Sequence, residues 1–438
     1  MECARTVPKV LCLVRTQPSD SLNGYLIVNN FNDSLINQLA HEFGTPFWLY
    51  DADSIRRRTA QLRAFDVIRY AQKANPNLQI LKLMKSLGAM VDAVSLGEIE
   101  RAHRAGFRND EGHAQIVYTC DVLDEATLER VIELNIPVNA GSPQMLEQLG
   151  KASPGHKVWL RINPGFGHGH SRKTNTGGPS SKHGNWHENL AECYQLIETY
   201  GLELVGLHMH IGSGVDYEHL QRVCASMVEH VLRCPFDISA ISAGGGLPIA
   251  YRDNDPQIDI DEYFRIWDLA RRQIEAHLGH SVTLEIEPGR LLVAESGCLV
   301  TQVRAKKDVG PNHFVLVNSG FNDLMRPAMY GSFHQITAIQ KIPVLDRGTW
   351  RNTVVAGSLC EAGDVFTQQS NGEIDHQLLP DLQVDDLLVF HDCGAYGASM
   401  SSSYNTRPLI PELLLDGDSV RVIRRRQTFD ELLSLETI

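Results

Sequence analysis

The chain has 438 residues and a formal net charge of −13, with 43% hydrophobic and 21% charged residues. This composition is ordinary for a globular protein that buries a large core over roughly two or three domains. The acidic balance argues against nucleic-acid binding, which needs clustered Lys and Arg, and no apolar run reaches the roughly 18 residues that span a bilayer. Nine cysteines, an odd number without CxxC pairs, predict reduced thiols in a cytoplasmic protein.

Residues 1–37 form a weakly patterned leader. Beyond it, short runs rich in β-branched and aromatic residues alternate with longer segments of helical period. The predicted strands are 67–70, 90–94, 116–119, 137–140, 158–162, 204–210, 238–242 and 282–286. The clearest predicted helices are 96–105, 124–134, 217–232 and 261–278. Eight strands, each paired with a helix, predict an α/β fold with a (β/α)8 barrel over residues 38–286. A doubly wound open sheet is the alternative.

The pattern changes beyond about residue 290, where alternating segments follow one another without long helices between them. These segments are 314–317, 353–355, 387–390 and 420–423. They predict a β domain over residues 287–438 that ends in a helix at 430–435. The leader is expected to join this domain and to complete its sheet.

Residues able to carry chemistry follow the predicted barrel strands, at the face where barrel enzymes place their active sites. In chain order they are Lys73, the turn 92–98, His210 with the segment 212–214, the glycine triplet 244–246, Glu287 and Arg290. Glycine turns let backbone N–H groups approach a phosphate closely. A lysine beside such a turn and a carboxylate predicts pyridoxal 5'-phosphate (PLP), because the lysine can bind it covalently and the carboxylate can keep its pyridine nitrogen protonated.

Each of these features also has a simpler explanation. A strand-end lysine such as Lys73 is usually a solvated cap, a glycine triplet is often only a turn, and Glu287 could be an ordinary surface carboxylate. His208 and His210 have the spacing of metal ligands on one strand face. The His-rich segment 167–170 could supply further metal ligands. A barrel metallohydrolase is therefore a second hypothesis. The later strand ends carry no Asp or further His, so we predict PLP and no metal.

Several strings in one order make the first hypothesis specific. They are Tyr70–Ala74, Asp92–Glu98, His208–Gly214, Gly244–Leu247, Glu287–Arg290, Met325–Tyr330, Cys360-Glu361 with Gly363-Asp364, and Gly394–Gly397. On these strings, from about residue 38 to 438, the chain resembles the fold-type III PLP-dependent decarboxylases, in particular those that act on diaminopimelate.

The resemblance implies a role for each matching residue of the cofactor site. Lys73 would hold PLP covalently, His210 would stack on its ring, and Glu287 would pair with its pyridine nitrogen. The residues expected to line its phosphate or the approach to it are Ser213, Gly246, Arg290 and Tyr396. The residues that match a supporting shell are Asp92, Glu98 and Arg161.

The resemblance also implies a small amino-acid substrate and a homodimer with shared active sites. The residues expected to bind substrate are Arg290, Arg326, Tyr330, Glu361 and Tyr396. Cys360 and Glu361 would reach in from the other subunit, and the Cys360 thiol would protonate the carbanion left by carbon dioxide. The simpler explanations are a buried small hydrophobe for Cys360 and a surface salt bridge for Arg326.

The implied reaction converts meso-2,6-diaminopimelate at its D centre to L-lysine and carbon dioxide, the last step of lysine biosynthesis. One residue departs from the family pattern, since Ala362 stands where a serine usually follows the Cys-Glu pair. Decarboxylation of D-lysine or D-ornithine on the same scaffold is therefore the alternative. A non-enzymatic regulatory relative is a more distant one, and the presence of both Lys73 and Cys360 argues against it.

Overall fold

The computed structural model describes residues 11–12, 31–110, 114–167, 176–210, 216–341 and 350–437. The chain divides into two compact units. We call Arg58–Ile249 with Pro256–Leu291 the barrel unit. The sheet unit comprises Ala250–Asp255 and the described parts of Met1–Arg57 and Leu292–Ile438.

Strands and helices alternate through the barrel unit, and strands predominate in the sheet unit. The strands are β1 (Leu11–Cys12), β2 (Phe47–Asp51), β3 (Val67–Ala71), β4 (Met90–Ala93), β5 (Ile116–Cys120), β6 (Val138–Ala140), β7 (Lys157–Asn163), β8 (Asn185–Trp186), β9 (Glu203–His208), β10 (Ala240–Ser242), β11 (Thr283–Ile286), β12 (Gly297–Val309), β13 (Asn312–Val317), β14 (Ile336–Ile339), β15 (Trp350–Ala356), β16 (Gln377–Pro380), β17 (Leu387–Phe390), β18 (Glu412–Asp416) and β19 (Ser419–Arg424). The helices are α1 (Asp33–Phe43), α2 (Ala52–Ala60), α3 (Leu78–Ser86), α4 (Leu96–Ala105), α5 (Glu125–Glu133), α6 (Pro143–Ala152), α7 (Leu190–Tyr200), α8 (Tyr217–Arg233), α9 (Ile260–Leu278), α10 (Arg290–Val293), α11 (Arg326–Tyr330) and α12 (Phe429–Leu433).

The barrel unit contains a closed parallel barrel. Its strand order is β3-β4-β5-β6-β7-β9-β10-β11, and β11 pairs back onto β3. The short strand β8 adds to the end of β7. All eight predicted strands are therefore confirmed, and the β11–β3 pairing excludes the open sheet, whose edge strands would stay unpaired.

The helices around the barrel begin where the sequence provides capping side chains. The side chains of Ser95, Asp216 and Asp259 accept hydrogen bonds from the backbone three residues ahead, at the starts of α4, α8 and α9. Apolar residues at helical spacing then form the buried face of each helix, as with Val223 and Met227 in α8. These signals explain why the predicted helix bounds agree with the structure to within a residue or two.

Side chains from alternate strands fill the inside of the barrel. Val117 of β5, Trp159 of β7 and Ala240 of β10 form one buried cluster, in the layered manner of such barrels. Gly206 on β9 makes room for the indole, since a Cβ atom there would lie 2.7 Å from the Trp159 ring. The interior is packed, so chemistry is left to the strand ends.

The described part of the sheet unit is one mixed sheet with the main order β1-β19-β18-β2-β12-β13-β15-β16, and β17 lies between β12 and β14. The four segments predicted as strands all form β-structure, in β13, β15, β17 and β19. The 13-residue strand β12 was not predicted. Its second half is half-buried or exposed and contains the run Ala-Lys-Lys-Asp, a composition that gives little strand signal.

The predicted boundary at residue 38 differs from the structure. Strand β2 pairs with β12 and β18, and α1 buries Leu35, Ile36 and Leu39 against the same sheet. Residues 38–57 therefore belong with the sheet unit. Within the leader, the backbone of β1 pairs with β19, and the rest of residues 1–30 lies outside the described residues.

The seven cysteines with described side chains form no disulfide. Among the described residues, no helix combines the length and the apolar character needed to cross a membrane.

Candidate active site

Lys73 lies in a short 3-10 turn, Gln72–Ala74, directly after β3. Its side chain is exposed at this end of the barrel. Its positive charge lowers the proton affinity of Asp92, Glu98 and His210, which follow neighbouring strands. The predicted lysine therefore faces the other predicted site residues of the barrel unit.

The segment after β11 packs onto the turn that carries Lys73. The N–H of Ala71 donates to the carbonyl of Pro288 at 3.1 Å. A Cβ atom on Gly289 would lie 3.2 Å from the carbonyl oxygen of Ala71, so glycine permits this close approach. Arg290 follows at the start of α10, which brings it beside the lysine turn.

Glu287 is buried and both of its carboxylate oxygens have hydrogen-bond partners. Nε2 of His208 lies 2.8 Å from Oε2, and the hydroxyl of Ser242 donates to Oε1 at 3.0 Å. The N–H of Gly244 in turn donates to the Ser242 hydroxyl oxygen at 3.1 Å. The carboxylate predicted to face the pyridine nitrogen is thus held by side chains from two adjacent strands.

Two buried carboxyl groups of the site differ in their affinity for a proton. Burial raises the pKa of Asp92, and the negative charge of Glu287 raises it further. Burial alone would raise the pKa of Glu287 too, but the charge and hydrogen bond of His208 hold it below the usual range. Glu287 is therefore the anion of the pair. Environments that separate two carboxyl groups in this way are typical of active sites.

The supporting residues Asp92 and Arg161 are buried, and Glu98 is half-buried. Oδ1 of Asp92 is buried and has no hydrogen-bond partner. Glu98 accepts a hydrogen bond from the N–H of Val94 at 2.9 Å, and burial raises the pKa of its carboxyl group. Burial also lowers the pKa of Arg161, whose guanidinium interacts electrostatically with Asp92 and Glu287.

His210 is fixed by the glycine turn. The N–H of Gly245 donates to its Nδ1 at 2.9 Å, so that nitrogen carries no proton. Burial lowers the pKa of His210 well below its usual value, and the charge of Arg161 adds to this effect. The imidazole is therefore a neutral flat ring.

The turn itself requires glycine. Gly244 and Gly246 have φ angles of +61° and +101°, where side chains are disfavoured. A Cβ atom on Gly245 would lie 2.3 Å from the carbonyl oxygen of Glu287. A turn without side chains at the strand ends can hold a phosphate.

This arrangement fits PLP better than a metal. It offers an exposed lysine, a neutral ring, an ionised carboxylate, a glycine turn and an unpartnered buried atom on Asp92. In the described part of the chain, no group of three or more His, Cys, Asp or Glu residues could hold a metal ion. Predicted features outside the described residues are Ser213, its neighbours Gly212 and Gly214, and the histidines 168 and 170.

Five predicted site residues lie in the sheet unit: Arg326, Tyr330, Cys360, Glu361 and Tyr396. Nη1 of the buried Arg326 donates to the hydroxyl of Tyr251 at 2.9 Å and to Nε2 of His334 at 3.1 Å. The guanidinium also lies over the Tyr251 ring, 4.8 Å from its centre. Among the described residues its Nε and Nη2 have no hydrogen-bond partner, so one edge of the guanidinium is open.

Cys360 and Glu361 lie on an exposed loop whose backbone is fixed by a buried carboxylate. Asp364 accepts hydrogen bonds from the N–H groups of Leu359 at 2.8 Å and Phe321 at 2.7 Å. The N–H of Cys360 itself donates to Oδ1 of Asn405 at 3.0 Å. The loop is thus ordered while the thiol and the Glu361 carboxylate stay accessible.

Tyr330 ends α11 and is half-buried, and Tyr396 is half-buried in a turn with a φ angle of +58°. The residues not identified in advance are Ser242, Tyr251 and His334. Ser242 could have been found from its place two residues before the glycine triplet. Tyr251 and His334 give no such signal, because they act only through long-range contact with Arg326.

The chain is similar in sequence and in structure to pyridoxal-dependent decarboxylases. The family model of the pyridoxal binding domain of pyridoxal-dependent decarboxylases matches residues 52–294. The chain is 62% identical to diaminopimelate decarboxylase of Streptomyces coelicolor over 397 residues, 91% of this chain and 90% of the relative. A crystal structure of diaminopimelate decarboxylase matches with a TM-score of 0.90 and 56% identity, covering 94% of this chain and 99% of that one. The enzyme from Helicobacter pylori, crystallised with L-lysine, matches with a TM-score of 0.80 and 32% identity, covering 91% and 98%.

Proposed function

The chain belongs to the diaminopimelate decarboxylase family of pyridoxal-dependent decarboxylases, and on that premise we infer that it converts meso-2,6-diaminopimelate to L-lysine and carbon dioxide. The D centre reacts, and the reaction is the last step of lysine biosynthesis. The single observation that carries this inference is the ionised Glu287 held beside a glycine turn, at the strand ends that also present Lys73. L-Lysine, the product, is the ligand of the Helicobacter pylori relative.

PLP supplies an electron sink for the electron pair left on Cα when carbon dioxide departs. Nζ of Lys73 would hold the cofactor covalently, and Glu287 would accept a hydrogen bond from the pyridine N–H. The neutral ring of His210 would pack on the cofactor. Because that ring is uncharged, it does not compete with the pyridine nitrogen for the negative charge of Glu287.

The phosphate group is assigned to Ser213, Gly246, Arg290 and Tyr396. A glycine turn and an arginine suit a dianionic phosphate, through backbone N–H groups and through a charged fork. Asp92, Glu98 and Arg161 hold the surrounding side chains, with Asp92 the carboxyl group that more readily keeps a proton.

The substrate is assigned to Arg290, Arg326, Tyr330, Glu361 and Tyr396. Arg326 is the group best suited to the carboxylate at the far end of diaminopimelate. Tyr251 and His334 occupy only its Nη1, and Nε with Nη2 can form two parallel hydrogen bonds to one carboxylate. The buried guanidinium is held rigidly, so little side-chain freedom is lost on binding.

Cys360 is assigned as the acid that returns a proton to Cα. Its loop is ordered and its thiol is exposed, as a proton donor to a bound substrate must be. We propose that Cys360 and Glu361 serve the active site of a partner subunit in a homodimer. We place this enzyme in the cytoplasm, where unpaired thiols such as these stay reduced.

The activity is tested by measuring carbon dioxide release from meso-diaminopimelate, D-lysine and L-ornithine in parallel, with PLP present. We expect release from meso-diaminopimelate in step with L-lysine formation, and little from the other two. Protein that contains stoichiometric zinc and no PLP would contradict the assignment and favour the metallohydrolase.

The shared site is tested by mixing two inactive variants, Lys73→Ala and Cys360→Ala. Each heterodimer then contains one site with both residues intact, so random exchange should restore about a quarter of the parent activity. Mixing Lys73→Ala with the double variant Lys73→Ala/Cys360→Ala is the control and should restore none. No recovery after verified subunit exchange would mean that both residues of a site come from one chain.

A further inference from the structure

His208 is a buried imidazole to which the proposed mechanism gives no task. Its side chain is 1% exposed, it ends β9, and its Nε2 lies 2.8 Å from Oε2 of Glu287. Its Nδ1 is buried and has no hydrogen-bond partner.

Both hydrogen bonds to the Glu287 carboxylate have a donor that can be assigned. The N–H of Gly244 donates to the Ser242 oxygen, which leaves the Ser242 proton to point at Oε1. An ionised carboxylate only accepts, so Nε2 of His208 must carry the proton that points at Oε2. Two donors therefore fix the plane of the carboxylate. Each oxygen keeps a lone pair for one further donor.

The other charged groups near Glu287 do not take the place of His208. The groups that interact electrostatically with the Glu287 carboxylate are Arg69 of β3, Asp92 of β4, Arg161 of β7 and His210 after β9. Nε and Nη2 of Arg69 donate to the two carboxylate oxygens of Glu285, at 2.9 and 3.0 Å. His210 accepts from Gly245 through Nδ1. His208 and Ser242 are thus the side chains that hold the carboxylate.

We propose that His208 is a positioning residue that, together with Ser242, keeps Glu287 ionised and oriented so that the pyridine nitrogen of the cofactor stays protonated. The idea rests on the proposed function, since PLP chemistry needs that proton. Without the imidazole donor, Glu287 becomes the stronger base. The shared proton then moves from the ring nitrogen to the carboxylate, and the electron sink weakens.

The test uses ¹⁵N-labelled PLP bound to the parent and to three variants: His208→Phe, His208→Gln and Ser242→Ala. We expect the ring nitrogen to resonate in the protonated range in the parent and to move towards the unprotonated range in His208→Phe. In His208→Gln the resonance should move back to the protonated range, because the amide N–H₂ of glutamine reaches the position of Nε2. In His208→Phe, kcat should fall about 10- to 100-fold with little change in KM, the scale of one hydrogen bond to a charged group.

An unchanged nitrogen resonance in His208→Phe would overturn the proposal, and so would equal defects in the Phe and Gln variants, since those indicate packing alone. If His208→Phe does not fold, Ser242→Ala decides: we expect a smaller shift in the same direction, and no shift overturns the proposal. A parent protein that fails to bind PLP or to release carbon dioxide would instead refute the proposed function.

Discussion

The variant Lys73→Ala is expected to lose covalent PLP binding and to lose decarboxylation almost completely. Lys73 is the lysine presented by the 3-10 turn after β3, and its charge acts on three other groups of the site. Its removal takes away the covalent anchor and a group able to move protons, so kcat should fall by about 10³-fold or more. Borohydride treatment followed by peptide mass spectrometry should find the cofactor on Lys73 in the parent and nowhere in the variant.

The matched control is Lys151→Ala. Lys151 is an exposed lysine of the same unit whose contact is a surface pair with Glu147 within α6, so its loss should leave cofactor and activity as in the parent. Thermal unfolding of both variants separates a lost cofactor from a lost fold. Parent-like turnover by Lys73→Ala would show that the assignment of this lysine is wrong.

The largest change in specificity is expected from Arg326→Ala. In the parent, the open edge of the buried guanidinium should favour meso-diaminopimelate over D-lysine, which lacks the distal carboxylate, by roughly 10⁴–10⁵ in kcat/KM. Such sites reject the shorter analogue because the charged group is then left unpaired. Ala362 acts in the other direction, but a neutral hydrogen bond contributes only about 0.5–1.5 kcal/mol. In Arg326→Ala most of the discrimination should disappear.

Two further variants test whether the planar guanidinium of Arg326 itself sets the substrate preference. Arg326→Lys keeps the charge without the planar fork and should recover only part of the preference. Arg304→Ala removes an exposed arginine of the same unit that pairs with Asp385, and it should change neither substrate's kcat/KM. A parent enzyme that prefers D-lysine would contradict the choice of substrate and leave the decarboxylase chemistry in place.

The barrel could be predicted because each of its strands and helices is marked locally, by β-branched runs, capping side chains and helical spacing. The contacts that build the site are not local. His208 and Glu287 are 79 residues apart in the chain, and Arg326 and Tyr251 are 75 apart. A sequence names the candidate residues at the strand ends, but their partners depend on which elements pack together. The pairing of β2 with β12 and β18 was missed for the same reason.

That pairing means that β2 is synthesised long before the two strands that cover it. All five residues of β2 are buried between two strands that leave the ribosome some 250 and 360 residues later. At synthesis rates of about 5–20 residues per second, the second neighbour follows after about 20–70 s. The whole barrel unit, Arg58–Ile249 and Pro256–Leu291, emerges within that interval and can fold. Until β12 is made, the strand Phe47–Asp51 has no partner from its own sheet, which makes the nascent chain a substrate for chaperones.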